Sequence, residues 1–185
     1  MSIIRDMIIL LGPSASGKTV IALNLAKKYG IKKAVTTTTR EMRVGEVNGV
    51  DYFFVSKNEF EQLIKEDKLV EHACYSGNFY GCGKSEVADN KVVVLEPNGL
   101  QSFKSLKNDH LIAFYIETPE EVRKQRMIER LDKPEKIAER LTNDRVQFDK
   151  NNIKGIDFVI YNENKTLDEI TDEVYKIYKK TIENN

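Results

Sequence analysis

Met7-Ile8-Ile9-Leu10-Leu11-Gly12-Pro13-Ser14-Ala15-Ser16-Gly17-Lys18-Thr19 is the stretch on which the architecture turns. Its first five residues form a continuous apolar run, the pattern of a strand buried on both faces, as in a parallel sheet. Its last eight satisfy Gly-x-x-x-x-Gly-Lys-[Ser/Thr] at every constrained position. From Lys18 to Tyr29 the apolar residues Val20, Ile21, Leu23, Leu25 and Ala26 follow helical spacing, and Gly30 closes the segment. Strand, glycine-rich turn and helix in that order predict a phosphate-binding loop rather than an ordinary turn. Each residue type has a task. The glycines let the backbone curl so that its N–H groups converge on phosphate oxygens at a helix N-terminus. Lys18 reaches the β- and γ-phosphates, and the Thr19 hydroxyl ligates Mg²⁺. Gly12, Pro13, Ser14, Ala15, Ser16, Gly17, Lys18 and Thr19 are thus the expected nucleotide-phosphate site.

Working outward, similar buried-strand runs recur at 92–95, 111–116 and 158–161. Helical spacing separates them, over 99–107, 119–130 and 135–148, and Thr118 is the expected N-cap of the second, with proline and acids in its first turn. Alternation of this kind predicts an α/β fold: a parallel sheet with helices on its faces, joined by right-handed crossovers. Residues 36–87 break the rhythm with short alternations of Thr, Gly, Tyr and Phe and turn signals at Asn48-Gly49 and Ser76-Gly77-Asn78. They read as an antiparallel, partly β insertion. Arginines from Arg126 to Arg140 around Asp132-Lys133-Pro134 suggest a helical hairpin, and Leu167, Ile170, Val174 and Ile177 mark a surface helix in the tail.

The whole chain is 185 residues, a length that suits one domain. It is 41% apolar and 31% charged, with 29 basic against 29 acidic residues, which argues against disorder and gives no basic excess for nucleic acid. Two cysteines, Cys74 and Cys82, supply neither a disulfide framework nor a zinc set. Apolar runs of five or six residues are far short of a membrane span, and Arg5 and Asp6 precede too few apolar residues for a signal peptide. The expectation is a cytoplasmic protein that meets neither membrane nor nucleic acid. His72 and His110 have no ligand partners at local spacing and read as structural or solvated.

A phosphate loop implies a donor, and the insertion has to supply the acceptor site. In Thr36-Thr37-Thr38-Thr39-Arg40-Glu41-Met42-Arg43, two arginines three apart can clamp one dianionic phosphate, or they can be two solvated surface residues. Tyr52 and Tyr80 offer phenolic hydroxyls to complete a cradle. Glu71, in the apolar context Leu69-Val70-Glu71, is either a surface glutamate or a reader of guanine, whose N1–H and N2–H₂ both suit a carboxylate.

Over nearly its whole length, Ile8 to about Tyr178, the chain resembles the guanylate kinase family. The resemblance rests on GPSASGKT, TTTREMRVGEVNGVDYFFVS, the EHA and SGNFYG segments, the arginine-rich stretch and FVIYN. It implies Mg²⁺-dependent transfer of a phosphoryl group from ATP to GMP, giving ADP and GDP. It also implies one domain over 1–185: a three-layer core (about 1–35, 88–125 and 141–185), a mixed α/β GMP lobe (about 36–87) and a helical lid (about 126–140). Carried over by motif position, Arg40, Arg43, Tyr52 and Tyr80 hold the GMP phosphate, and Thr36, Glu71 and Cys82 read guanine. Arg130 and Arg140 hold ATP and bridge the phosphates, Asn162 lies near the adenine, and Thr19 with Glu96 serves Mg²⁺. Lys18, Arg43, Arg130 and Arg140 make up the implied catalytic set. The partners are free nucleotides, and a monomer or weak homodimer is expected.

The chain departs from the family at several points. Cys82 replaces a serine or threonine, Glu96-Pro97-Asn98 replaces an Asp-x-Asp, and Arg130-Leu131 replaces an Arg-Gly step. A thiol is a weak donor or simply a small filler of a core. These departures keep open a sibling kinase acting on another phosphate-bearing acceptor. A non-catalytic interaction module of the same fold is the other alternative, and the intact phosphate loop argues against it.

Overall fold

The computed structural model describes residues 6–75 and 77–184. Arg5, and Ser76 at the start of one expected turn, lie outside the described residues. The apolar runs form a five-stranded parallel sheet in the order β2-β7-β1-β8-β9, from β1 (Met7–Leu11), β2 (Lys32–Lys33), β7 (Lys91–Val94), β8 (Leu111–Glu117) and β9 (Phe158–Tyr161). Alternation along β1 divides the core in two. Ile8 and Leu10 face helices α1 (Lys18–Tyr29) and α6 (Leu167–Glu183), meeting Ile21, Leu25, Ile170 and Val174. Met7, Ile9 and Leu11 face α3 (Pro97–Lys104) and the end of α5 (Pro134–Gln147), meeting Leu100, Phe103 and Phe148. This is the expected three-layer α/β core.

Two boundaries differ from expectation. Helix α3 starts with Pro97 in its first turn and ends at Lys104, since Lys107 takes φ 51. In α4 (Glu120–Glu129) the cap position belongs to Pro119, which cannot cap with a side chain. Thr118 instead donates to the Ser16 carbonyl at 3.2 Å, because its hydroxyl points at the phosphate loop rather than at the first helical turn.

The insertion is a second sheet in the order β4-β3-β6-β5, from β3 (Thr37–Thr38), β4 (Phe53–Phe54), β5 (Leu69–Tyr75) and β6 (Asn78–Gly83). It is mixed rather than antiparallel throughout: β3 and β4 run parallel, because the 39–52 loop carries the chain back before β4 starts. Helix α2 (Lys57–Lys65) opens with a reciprocal Ser56–Glu59 capping box, and its buried Phe60 stacks on Phe79. The expected hairpin of arginine-bearing helices is present as α4 and α5, closed by a turn in which Leu131 takes φ 61.

Candidate active site

The phosphate loop joins β1 to α1, and two of its glycines are required by geometry. At Gly12 (φ 147) a Cβ would sit 2.7 Å from the Ile116 carbonyl oxygen. Gly17 has φ 98, which lets the chain turn from loop into helix. Lys18 Nζ lies back over the loop, 2.9 Å from the Pro13 carbonyl and 3.3 Å from Ser16 Oγ, and it also donates to the Gly12 carbonyl. Burial pulls its pKa down to about 8, against the opposing pull of Glu96 and Asp144.

Behind the loop lies a buried ion pair that no local motif announces. Asp144 of α5 accepts from Ser14 N at 3.0 Å and from Ser14 Oγ at 3.1 Å. Arg123 of α4 donates to Asp144 at 2.9 Å, to the Ser14 carbonyl at 3.3 Å and to the Thr118 carbonyl at 3.2 Å. The Ser16 carbonyl is held twice, by Thr118 Oγ1 and by Asn162 Nδ2 at 2.8 Å. Asn162 is only 5% exposed and braces the loop through that bond to the Ser16 carbonyl. The end of β9 delivers its side chain to the Ser16 carbonyl.

The arginines of the α4–α5 hairpin differ in placement. Arg126 reaches the loop, donating to the Ala15 carbonyl at 3.1 Å, with its pKa lowered by burial and by neighbouring Arg130. Arg130 is exposed one turn further on, and Arg140 pairs with Asp132 at 2.8 Å. Sequence reasoning missed Arg126 as a site residue. The signal was its i,i+4 spacing to Arg130, the C-cap of α4, which puts the two on one side of the helix end.

Across from the loop, a cleft of about 220 Å³ is lined by Thr19, Thr36, Tyr52, Glu71, Tyr80 and Glu96, with Lys33 among them. It continues to a second chamber that holds Arg40 and Arg43 and shares Thr19, Lys33, Tyr52 and Tyr80. Arg40 is held by Glu46 at 2.7 Å and lies over the rings of Tyr52 and Phe54, while Arg43 is exposed. Tyr52 and Tyr80 meet edge to face, and burial raises the Tyr52 phenol. Thr36, Arg40, Arg43, Tyr52, Glu71 and Tyr80 therefore come together, from the residue before β3, the 39–52 loop, β5 and β6.

Glu71 is buried and accepts the Cys82 backbone N–H; desolvation, with a smaller push from Glu96, raises its pKa to about 7. Gly99 of α3 makes room for it: a Cβ there would stand 2.9 Å from Glu71 Oε2. Glu96 has one carboxylate oxygen buried without a hydrogen-bond partner among the described residues, and burial raises its pKa too. Cys82 is not in the cleft. Its thiol is fully buried in the cluster that holds Ala34, Val93 and Leu95, with its pKa pushed up to about 12 by burial. Strand β6 passes from the cleft at Tyr80 into the core at Cys82, so the residue presents backbone to Glu71 and sulfur to the core. His110 has an unforeseen partner, Asp6, at 2.6 Å.

A family model described as guanylate kinase matches residues 4–181. A guanylate kinase of Anaplasma phagocytophilum is 32% identical over 183 residues, covering 94% of this chain and 85% of the relative. One from Clostridium perfringens (strain SM101 / Type A) is 38% identical over 180 residues, covering 92% and 80%. A crystal structure of guanylate kinase from Anaplasma phagocytophilum superposes with a TM-score of 0.73 at 26% identity, covering 97% of this chain and 86% of that one.

Proposed function

This chain belongs to the guanylate kinase family, and on that premise we propose that it phosphorylates GMP with ATP, giving ADP and GDP, in the cleft described above. The observation that carries this reading is the continuity of the cleft. Thr19 at the start of α1 lines both the chamber with Glu71 and the chamber with Arg40 and Arg43, so donor and acceptor phosphates can meet in one space.

Phosphoryl transfer needs positioning and charge neutralisation more than covalent chemistry. Residues 12–19 hold the donor phosphates through backbone N–H groups. Lys18 leaves the loop carbonyls it now occupies and carries its charge to the transferring group, where preorganised charge counts most. Arg126, Arg130 and Arg140 add charge from the lid at 126–140. Arg40, Arg43, Tyr52 and Tyr80 hold the acceptor phosphate, and Thr36 and Glu71 read the base from the lobe at 36–87. Closure of lid and lobe expels water, which would otherwise take the phosphoryl group.

The residues present fit Mg²⁺. Glu96 has a buried carboxylate oxygen with no partner among the described residues, and Thr19 lines the same cleft. Mg²⁺ shared with substrate phosphates needs only one or two such protein groups. Thr19 and Glu96 would hold it, and when bound it draws negative charge from the phosphate oxygens.

We place the enzyme among free nucleotides in the cytoplasm, as a monomer or weak homodimer. The balanced charge favours free nucleotides over nucleic acid as partners. Among the described residues no helix is long and apolar enough to cross a membrane. The test is ADP formation measured across GMP, dGMP, AMP, UMP, CMP and ribose bisphosphate. GMP and dGMP should lead, and Lys18→Ala should reduce turnover by roughly two or more orders of magnitude. Preference for another acceptor would remove the guanine reading. Near wild-type turnover in Lys18→Ala would remove the phosphate-loop mechanism.

A further inference from the structure

Lys33 stands where the two chambers join. It lines both of them, together with Thr19, Tyr52 and Tyr80 alone. Its backbone belongs to β2, paired with Val92 in the core sheet, so the root of the side chain is fixed. Its ammonium rests 3.0 Å from the Asp51 carbonyl oxygen and 5.2 Å from the centre of the Tyr52 ring, which Arg40 also covers at 5.4 Å. Tyr52 thus has two cations over its ring.

Among the described residues, the Lys33 ammonium makes no ion pair; a neutral carbonyl and a ring are what hold it. Burial lowers its pKa, and Asp51, Glu46 and Glu86 only partly offset that. Such a cation is under-compensated and gains from a nearby anion. A lysine carries it as a mobile point charge on a flexible stem, unlike the planar arginine forks beside it.

We propose that Lys33 is a third cation of the acceptor-phosphate site. When a nucleoside 5′-monophosphate binds, its ammonium leaves the Asp51 carbonyl for a phosphate oxygen on the side that faces Thr19. This rests on the placement of the acceptor under Proposed function and adds a residue to it. Arg40 and Arg43 grip the phosphate from the lobe, while Lys33 reaches it from the core sheet and orients the oxygen turned toward the donor. The bare nucleoside has nothing to offer this ammonium.

The experiment is calorimetric binding of GMP, guanosine and ATP to the wild-type chain and to Lys33→Gln. Glutamine keeps a donor for the Asp51 carbonyl and removes the charge; Lys33→Met is measured in parallel and decides the matter if the glutamine variant does not fold. GMP affinity should fall about tenfold or more, the scale of one charged hydrogen bond, with guanosine and ATP unchanged. Unchanged GMP affinity would overturn the inference, and so would equal losses for GMP and guanosine, which would make Lys33 a structural tether. In either case the placement of the acceptor stands, provided that wild type binds GMP more tightly than guanosine. Wild type binding the two alike would overturn that placement and the inference together.

Discussion

Arg123 and Asp144 meet at 2.9 Å behind the phosphate loop and between them take up all three polar groups of Ser14: its N–H, its hydroxyl and its carbonyl. The arginine comes from α4 and the aspartate from α5, the two helices of the arginine-bearing hairpin. The crest of the loop is therefore fastened to the α4–α5 hairpin rather than only to the strand and helix that flank it. The pair is almost fully buried, so its value lies in geometry and in what happens when one partner is missing.

Asp144→Ala leaves the buried Arg123 guanidinium with only the more distant Glu120 carboxylate, at 3.9 Å, as an ionic partner and frees Ser14 N–H. Stability should fall by about 3–5 kcal/mol in denaturant unfolding, with weaker ATP use in whatever folds. A loss below about 1 kcal/mol would make the pair incidental.

Glu71 sets a pH dependence. Its folded pKa, about 7, lies above the ordinary carboxylate value, so between the two the folded chain keeps a proton that the unfolded chain has lost. The associated stability is fully present below the ordinary value and is lost as pH rises through about 7. Function runs the other way, because guanine needs the ionised acceptor. The kcat/KM for GMP should drop as pH falls through about 7, and Glu71→Gln should abolish that step while keeping the one from the nucleotide phosphate near pH 6. An unchanged profile in Glu71→Gln would remove the assignment.

Gly99→Ala separates recognition from folding. The added methyl stands 2.9 Å from Glu71 Oε2 and must push that carboxylate aside. Alanine suits a helix better than glycine by roughly 0.5–1 kcal/mol, so the melting temperature should hold or rise. The KM for GMP should increase by about ten- to a hundredfold, the scale of a small misplacement. Equal GMP kinetics would mean that Glu71 does not work from this position.

Cys82→Ser tests the buried thiol. A hydroxyl in that apolar cluster should cost about 1–3 kcal/mol of stability and leave the GMP to AMP preference alone. A gain in kcat/KM for GMP would instead place this side chain on the base.

What a reader of the sequence could find follows the range over which each signal acts. Strand β1, the loop and α1 were legible because their periodicity, glycines and closing Gly30 lie within one short stretch, and Thr36, Arg40, Tyr52, Glu71 and Tyr80 were legible through contiguous motifs. Helix α2 could have been found as well, from Ser56 and Glu59 three apart. The mixed sheet could not: parallel pairing of β3 with β4 depends on how the intervening loop closes, and no residue type marks it.

The sequence by itself determined an α/β fold built on a phosphate loop, because short-range pattern is enough to specify buried strands, helices and a glycine-permitted turn. What surrounds that loop depends on packing between elements far apart in the chain. Ser14 and Asp144 are 130 residues apart, Ser16 and Asn162 are 146 apart, and Gly99 shapes Glu71 from another element. That packing also turned the Cys82 sulfur into the core and set Lys33 at the junction of two chambers. Buried polar groups must be satisfied by whichever partner folding brings within reach, and that partner's identity is written in the packing of sheets and helices rather than in the neighbouring residues.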